Sequence, residues 1–342
     1  MTRLVVHAGT HATDWRQIRQ QLASWRQPLK GLGVRLCPGD GAPAWVAAAR
    51  DITSGKPSQH LVEVANAAVA DGAAALLLSS EQLEDSLRDA AAVSRLVEFA
   101  AGVGMELTVL LVLRDQLGYL NQMYCDRIGA LQTARSFDSF VSAPQPAERF
   151  DYPRAFELVT GAPDVEVVGV PYAALTDGAR AREVVTAAGL SRAQVDALPT
   201  RPGRRTRAGL PGPVLVAATR LLHKRLWRLG LVKSLPHPRL QAAARSLREH
   251  AEERIWDAGA FWGWSEDARE AAVQRYRPGN DALAKTLWGT PWPTEWESGA
   301  YLDVDLAALP PTLVVDVLRT VDDVVADLQK ATGASPAVVP AD

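Results

Sequence analysis

Short apolar runs alternate with longer amphipathic stretches through the first half of the chain. Residues 3–8 (RLVVHA), 33–37 (GVRLC), 74–79 (AALLLS), 105–113 (MELTVLLVL) and 164–170 (DVEVVGV) are nearly continuous in hydrophobicity, the pattern of strands buried on both faces. Between them, at about 14–27, 43–51, 60–71, 83–102 and 116–132, apolar residues recur at three- and four-residue spacing, which predicts helices. Strand–helix alternation of this kind predicts an α/β fold with a doubly wound parallel sheet, whose ligands sit at the carboxyl ends of the strands. After residue 175 helical patterns dominate, at about 178–189, 212–229, 238–258, 265–275, 280–288 and 311–332, with Pro/Gly punctuation between them. The expected organisation is a sheet core over 1–175, a helical C-terminal half packed on it over 176–332, and a tail over 333–342.

Composition narrows the class. With 47% hydrophobic and 22% charged residues the chain is globular rather than disordered, and 342 residues suffice for a sizeable core. No stretch is long and apolar enough for a membrane span, and the first residues, MTRLVVHAG, do not form a signal peptide. Two cysteines, Cys37 and Cys125, are too few for a disulfide framework and are expected as buried thiols in a reducing compartment. The expectation is a soluble, cytoplasmic protein.

The charge pattern adds one feature. Net charge is −2, yet from Leu198 to Arg248 there are twelve Arg or Lys and no Asp or Glu. Either this is a solvated face balanced by acids elsewhere in the fold, or it is a wall facing a polyanion, a phosphorylated nucleotide or an acidic glycan. No nucleic-acid module is visible, so no nucleic-acid partner is expected. Seven of the ten tryptophans lie between Trp227 and Trp296. Trp256, Phe261, Trp262 and Trp264 read first as core and second as a platform for sugar rings.

The first turn carries the candidate chemistry. In LVVHAGTHATDWRQIRQQL a strand leads through Gly9 into a helix, the geometry in which helix-terminal N–H groups face an anion. Thr10 and Thr13 add hydroxyls, and Asp14 suits a helix cap. His7 closes the strand and reads as a structural residue. His7 and His11 are the one histidine pair at four-residue spacing, but they straddle the turn, and no metal is expected. Glu81, directly after the third strand, is placed for a general base; Ser-Ser-Glu before a helical run is equally a helix N-terminus.

HAGTHATDWRQIR resembles the opening segment of bacterial sulfotransferase-like proteins, which reads like HIGTHKTGTTSIQ, at His7, Gly9, Thr10, His11 and Thr13. LLLSSEQL (76–83), LVLRDQLGYLNQMYCDRI (111–128) and RYRPGNDALAKTLWG (275–289) resemble further segments of that family in the same order. More weakly, RTRAGLPGPVLVAATRLL (205–222) does so too. The resemblance implies a P-loop sulfotransferase-like fold using 3′-phosphoadenosine-5′-phosphosulfate. It implies direct in-line transfer of a sulfuryl group to a hydroxyl-bearing acceptor, a carbohydrate or small metabolite. Carried over, Gly9, Thr10, His11, Thr13, Arg114, Gln122 and Arg207 bind the nucleotide, with His11 and Thr13 on the phosphosulfate and Arg114 and Arg207 on the 3′-phosphate. Glu81 is then the base, and His11 assists catalysis.

The departures from the family pattern concern that chemistry. Ala12 stands where the family has the loop lysine, Asp14 opposes an anion, and Gln122 and Gly209 replace serines. Losing one preorganised donor to the leaving oxygen typically costs about a hundred- to a thousandfold in rate. A catalytically inactive binding protein for a nucleotide, glycan or partner protein is the alternative expectation.

Overall fold

The computed structural model describes residues 1–9, 15–37, 42–80, 82–143, 149–172, 179–199, 210–256, 258–302 and 306–332. Strand β1 (Arg3–Gly9) is followed by α1 (Trp15–Ser24) and α2 (Arg26–Gly31), and β2 (Val34–Leu36) by α3 (Ala42–Thr53) and α4 (Gln59–Ala70). Strand β3 (Ala75–Ser79) leads to α5 (Gln82–Ser86) and α6 (Ala90–Gly102), and β4 (Glu106–Leu113) to α7 (Gln116–Gly129) and α8 (Phe137–Val141). Two single turns, α9 (Tyr152–Ala155) and α10 (Glu157–Thr160), precede β5 (Val165–Pro171). Then come α11 (Ala179–Ala187), α12 (Arg192–Asp196), α13 (Pro213–Arg228), α14 (Leu231–Ser234), α15 (His237–Glu253), α16 (Glu266–Trp288) and α17 (Pro311–Thr332).

The five strands form one parallel sheet in the order β2-β3-β1-β4-β5. The continuous apolar runs are explained by burial: every residue of β3 and all but the first of β4 are buried. The fold is therefore α/β and Rossmann-like, as the alternation predicts. The chain leaves β1 toward β2 on one side and β4 toward β5 on the other. Such a divergence is a topological switch point, the place beyond the carboxyl ends of β1 and β4 where open α/β sheets generally take their ligands.

The chain divides into two compact units, each built from three segments. The first comprises Met1–Tyr119, Ala147–Thr206 and Val273–Trp296; the second comprises Leu120–Pro146, Arg207–Ala272 and Glu297–Asp342. A single boundary near residue 175 does not describe this division, because α16 returns late sequence to the sheet-bearing unit. Residues 265–275 and 280–288, expected as two helices, are one helix through Pro278. Buried contacts override the local break: Asn280, Leu283 and Ala284 are buried, and Asn280 exchanges two hydrogen bonds of 2.8 and 2.9 Å with the amide of Gln116. Gly169 in β5 makes room for the end of the same helix, since a Cβ there would lie 2.6 Å from Leu287 and 2.9 Å from Trp288.

In the second unit α13, α15 and α17 share a core. It takes Leu215, Ala218, Leu222 and Leu226 from the first, Leu240, Ala243, Leu247 and Ala251 from the second, and Val317, Val321, Val324 and Leu328 from the third. Each set recurs at three- or four-residue spacing, so each helix turns one stripe inward. Trp256, Phe261, Trp262 and Trp264 are all buried. Phe261 and Trp264 pack edge-on or tilted with Tyr124 and Phe137 at centroid distances of 5.0–6.1 Å. The aromatic set is core, not a stacking platform.

Candidate functional site at the carboxyl ends of the strands

Gly9 ends β1 opposite Val112 of β4. Two residues upstream, His7 is fully buried and its Nδ1 lies 3.0 Å from Ser79 Oγ of β3. Burial pushes its pKa down to about 3, so the ring is neutral at physiological pH and serves as a structural link between neighbouring strands. Just beyond β3, the backbone N–H of Ser80 donates to the His7 carbonyl at 3.2 Å. The Ser80 hydroxyl is buried without a hydrogen-bond partner among the described residues. Such a group is costly to leave unsatisfied, and a ligand oxygen would satisfy it.

Arg114 follows β4 directly. Its backbone is fixed from two directions. Tyr152 Oη donates to its carbonyl at 2.5 Å, and Asp115 caps α7 by accepting from Gly118 N at 2.9 Å. The side chain is almost fully buried, with the guanidinium carbon 5.0 Å from the ring centroid of Tyr172. Arg180, at the start of α11, lies 4.3 Å from the same ring. Tyr172 stands immediately after β5, so two guanidinium groups share one aromatic ring beyond the ends of β4 and β5. Two guanidinium groups at one ring concentrate positive charge there, and guanidinium geometry suits phosphate or sulfate oxygens.

A second polar cluster lies on the helices that follow β3 and β4. Glu84 on α5 is fully buried, and both its oxygens accept from Tyr119 Oη, at 2.8 and 3.0 Å. Arg88 approaches the same carboxylate at 2.6 Å and Arg149 at 3.6 Å. Burial pulls the Arg149 pKa down, but Glu84, Tyr119 and Asp85 outweigh it and leave it raised. Burial, then the neighbouring Glu84, drives the Tyr119 hydroxyl upward. A carboxylate held by three donors is a fixed anchor between α5 and α7, not a base open to substrate.

No comparison supplies a relative: the chain matches no family model, no curated protein and no solved structure.

Of the residues expected at the site, Gly9 and Arg114 stand at carboxyl ends of adjacent strands. Thr10, His11, Thr13, Glu81 and Arg207 lie outside the described residues, as do Ala12, Asp14 and Gly209. Gln122 belongs to the second unit. There it donates to Asp126 Oδ1 at 3.0 Å on the surface of α7 and lines a cavity of about 520 Å³ between α7, α13 and α15. Tyr172, Arg180 and Ser80 were not singled out by sequence. An isolated Tyr or Arg outside a motif carries no local signal, and only the sheet order brings Tyr172 beside Arg114. Both cysteines are buried and unpaired, with Cys37 pushed up to about 12 by burial despite Arg26, so neither is a ready nucleophile. Among the described residues, no group of three or more His, Cys, Asp or Glu is placed to hold a metal ion. No described helix is long and apolar enough to cross a membrane.

Proposed function

We propose that the carboxyl end of the sheet binds a phosphorylated nucleotide of the 3′-phosphoadenosine-5′-phosphosulfate type. The protein would then be sulfotransferase-like, directing a sulfuryl group to a hydroxyl of a carbohydrate or small metabolite. The observation that carries the reading is the Arg114–Tyr172–Arg180 stack beyond β4 and β5, beside a switch point whose first strand ends in Gly9. Two buried or half-buried guanidinium groups at that position suit an anionic ligand. The P-loop sulfotransferase form of the α/β fold belongs to the same proposal. In it, Glu81 takes the acceptor proton as the new S–O bond forms and the bond to the nucleotide phosphate breaks.

A second reading rests on Ala12, which stands where the resembled family has the loop lysine, and on Asp14, which adds a negative charge to the same segment. In it the protein binds the nucleotide without transferring the sulfuryl group. One pair of experiments separates the two. Titration with 3′-phosphoadenosine-5′-phosphate should raise the melting temperature in a concentration-dependent way, by an amount corresponding to about 2.7 kcal/mol at a hundredfold excess over Kd. Arg114→Ala and Arg180→Ala should each weaken that response at least tenfold, and Ala12→Lys should strengthen it. Absence of any shift at millimolar ligand overturns the nucleotide site itself. If binding is seen, sulfuryl transfer from the full donor to a panel of sugar hydroxyls distinguishes enzyme from binder.

A further inference from the structure

The face of α13 opposite its core stripe has an unusual composition. Arg220, Lys224, Trp227 and Arg228 recur at three-, four- and eight-residue spacing along the helix, away from Leu215, Ala218, Leu222 and Leu226, which point into the core. Trp227 is 54% exposed, on a ring that ordinarily is mostly covered. Gly230, at a φ of 71°, then turns the chain into α14, and Lys233 brings its Nζ to 4.9 Å from the Trp227 ring centroid. Leu229, Val232 and Leu235 at this elbow are only partly covered by the core beneath.

Its charge is equally one-sided. Arg225 turns inward to an ion pair with Asp322 of α17, which accounts for one cation of the basic block. Lys224, Arg228, Lys233 and Arg239 are exposed, and none forms an ion pair among the described residues. A solvated helix face normally intersperses both signs. Here Lys224, Arg228 and Lys233 share two consecutive helices with one exposed indole and a partly apolar rim.

We propose that the α13–α14 elbow is a reversible docking surface for membranes rich in anionic lipid. The cations face the headgroup phosphates, and the indole of Trp227 lies at the headgroup–acyl boundary, where amphipathic aromatic rings are favoured. A free polyanion would satisfy the cations alone, whereas a bilayer also covers Trp227 and the rim of Leu229, Val232 and Leu235. Each cation near an anionic leaflet strengthens attachment about fivefold, so the three on α13 and α14 give reversible, salt-sensitive binding rather than permanent anchoring. This surface lies on the second unit and does not depend on the nucleotide reading.

The test is cosedimentation of the full-length protein with vesicles of phosphatidylcholine alone and of phosphatidylcholine mixed with phosphatidylglycerol. Binding is expected only to the mixed vesicles, and should disappear near 1 M salt, where the screening length is about 3 Å. Trp227→Ala should weaken it about tenfold. The double variant Lys224→Glu, Arg228→Glu should weaken it more than about twentyfold, on the same per-charge increment. All three positions are exposed, and unchanged melting temperatures confirm that the variants fold. Failure to bind mixed vesicles overturns the proposal, and so does equal binding to neutral ones. Full binding by either variant also overturns it. Retention of heparin or RNA in place of vesicles would assign the surface to soluble polyanions instead.

Discussion

His7 shows how a single residue can be read in two ways until its surroundings are known. A histidine at the end of a first strand, four residues before another, can serve chemistry or structure; it reads first as structural, and the ring is fully buried and held by Ser79. Its folded-state pKa of about 3 lies below the ordinary value of 6.5. Below pH 6.5 the unfolded chain therefore takes up a proton that the folded chain refuses. The stability this group contributes is complete above pH 6.5 and is lost as pH falls toward 3. The expected loss from this group is about 1.4 kcal/mol per pH unit across that window. Urea unfolding of the wild type and of His7→Leu at several pH values between 7 and 4 should show a shallower decline for the variant. Equal slopes would mean that His7 titrates normally. Arg114, by contrast, is singled out only through the family resemblance, and Tyr172 and Arg180 not at all. Nothing local in TDGARAR or PYAAL announces a shared aromatic ring.

Among the elements, the end of α15 carries a local conflict with its sequence. Trp256 N donates to the Ala251 carbonyl at 3.0 Å, and Ile255 N to the Glu252 carbonyl at 3.4 Å, the two bonds of a Schellman cap. The position in the left-handed conformation, φ 59°, is occupied by Ile255 rather than Gly. A β-branched side chain costs about 1–2 kcal/mol there. Since Ile255 is 74% exposed, little packing opposes its removal. Ile255→Gly should stabilise the protein by about 1 kcal/mol in denaturant melts, and a destabilisation would show that the exposed side chain has a packing role. The meeting of β5 with α16 gives the opposite expectation. Gly169→Ala would put a methyl group within 2.9 Å of both Leu287 and Trp288. Overpacking of this kind costs about 1–3 kcal/mol, and an unchanged midpoint would mean that the end of α16 yields freely. The helix at 83–102 was expected to be continuous but breaks into α5 and α6, because Asp89 accepts from Ala91 N and starts the second helix afresh. Pro278 misled in the other direction, suggesting an end where the helix continues.

For the molecule as a whole, what the sequence determined was the class. Apolar runs separated by amphipathic helices are satisfied by a sheet covered on both faces, since the central runs of β3 and β4 leave no polar side to turn toward water. That reasoning needs no partner residue, so it survives on pattern alone, and the same holds for the inward stripes of α13, α15 and α17. The division into two discontinuous units was decided by tertiary structure. Gln116 and Asn280 are 164 positions apart, and their reciprocal amide bonds form only because the sheet and α16 both exclude water around them. The basic block likewise became informative once Arg225 was seen to be neutralised by Asp322 and Lys224, Arg228 and Lys233 were seen to share two helices with an exposed indole. The order of the strands had the same effect at the candidate site. Periodicity reports which face of an element is buried, and it carries no information on which distant element will bury it. That second choice brings Arg114, Tyr172 and Arg180 together, and with them the charge that the proposed nucleotide would meet.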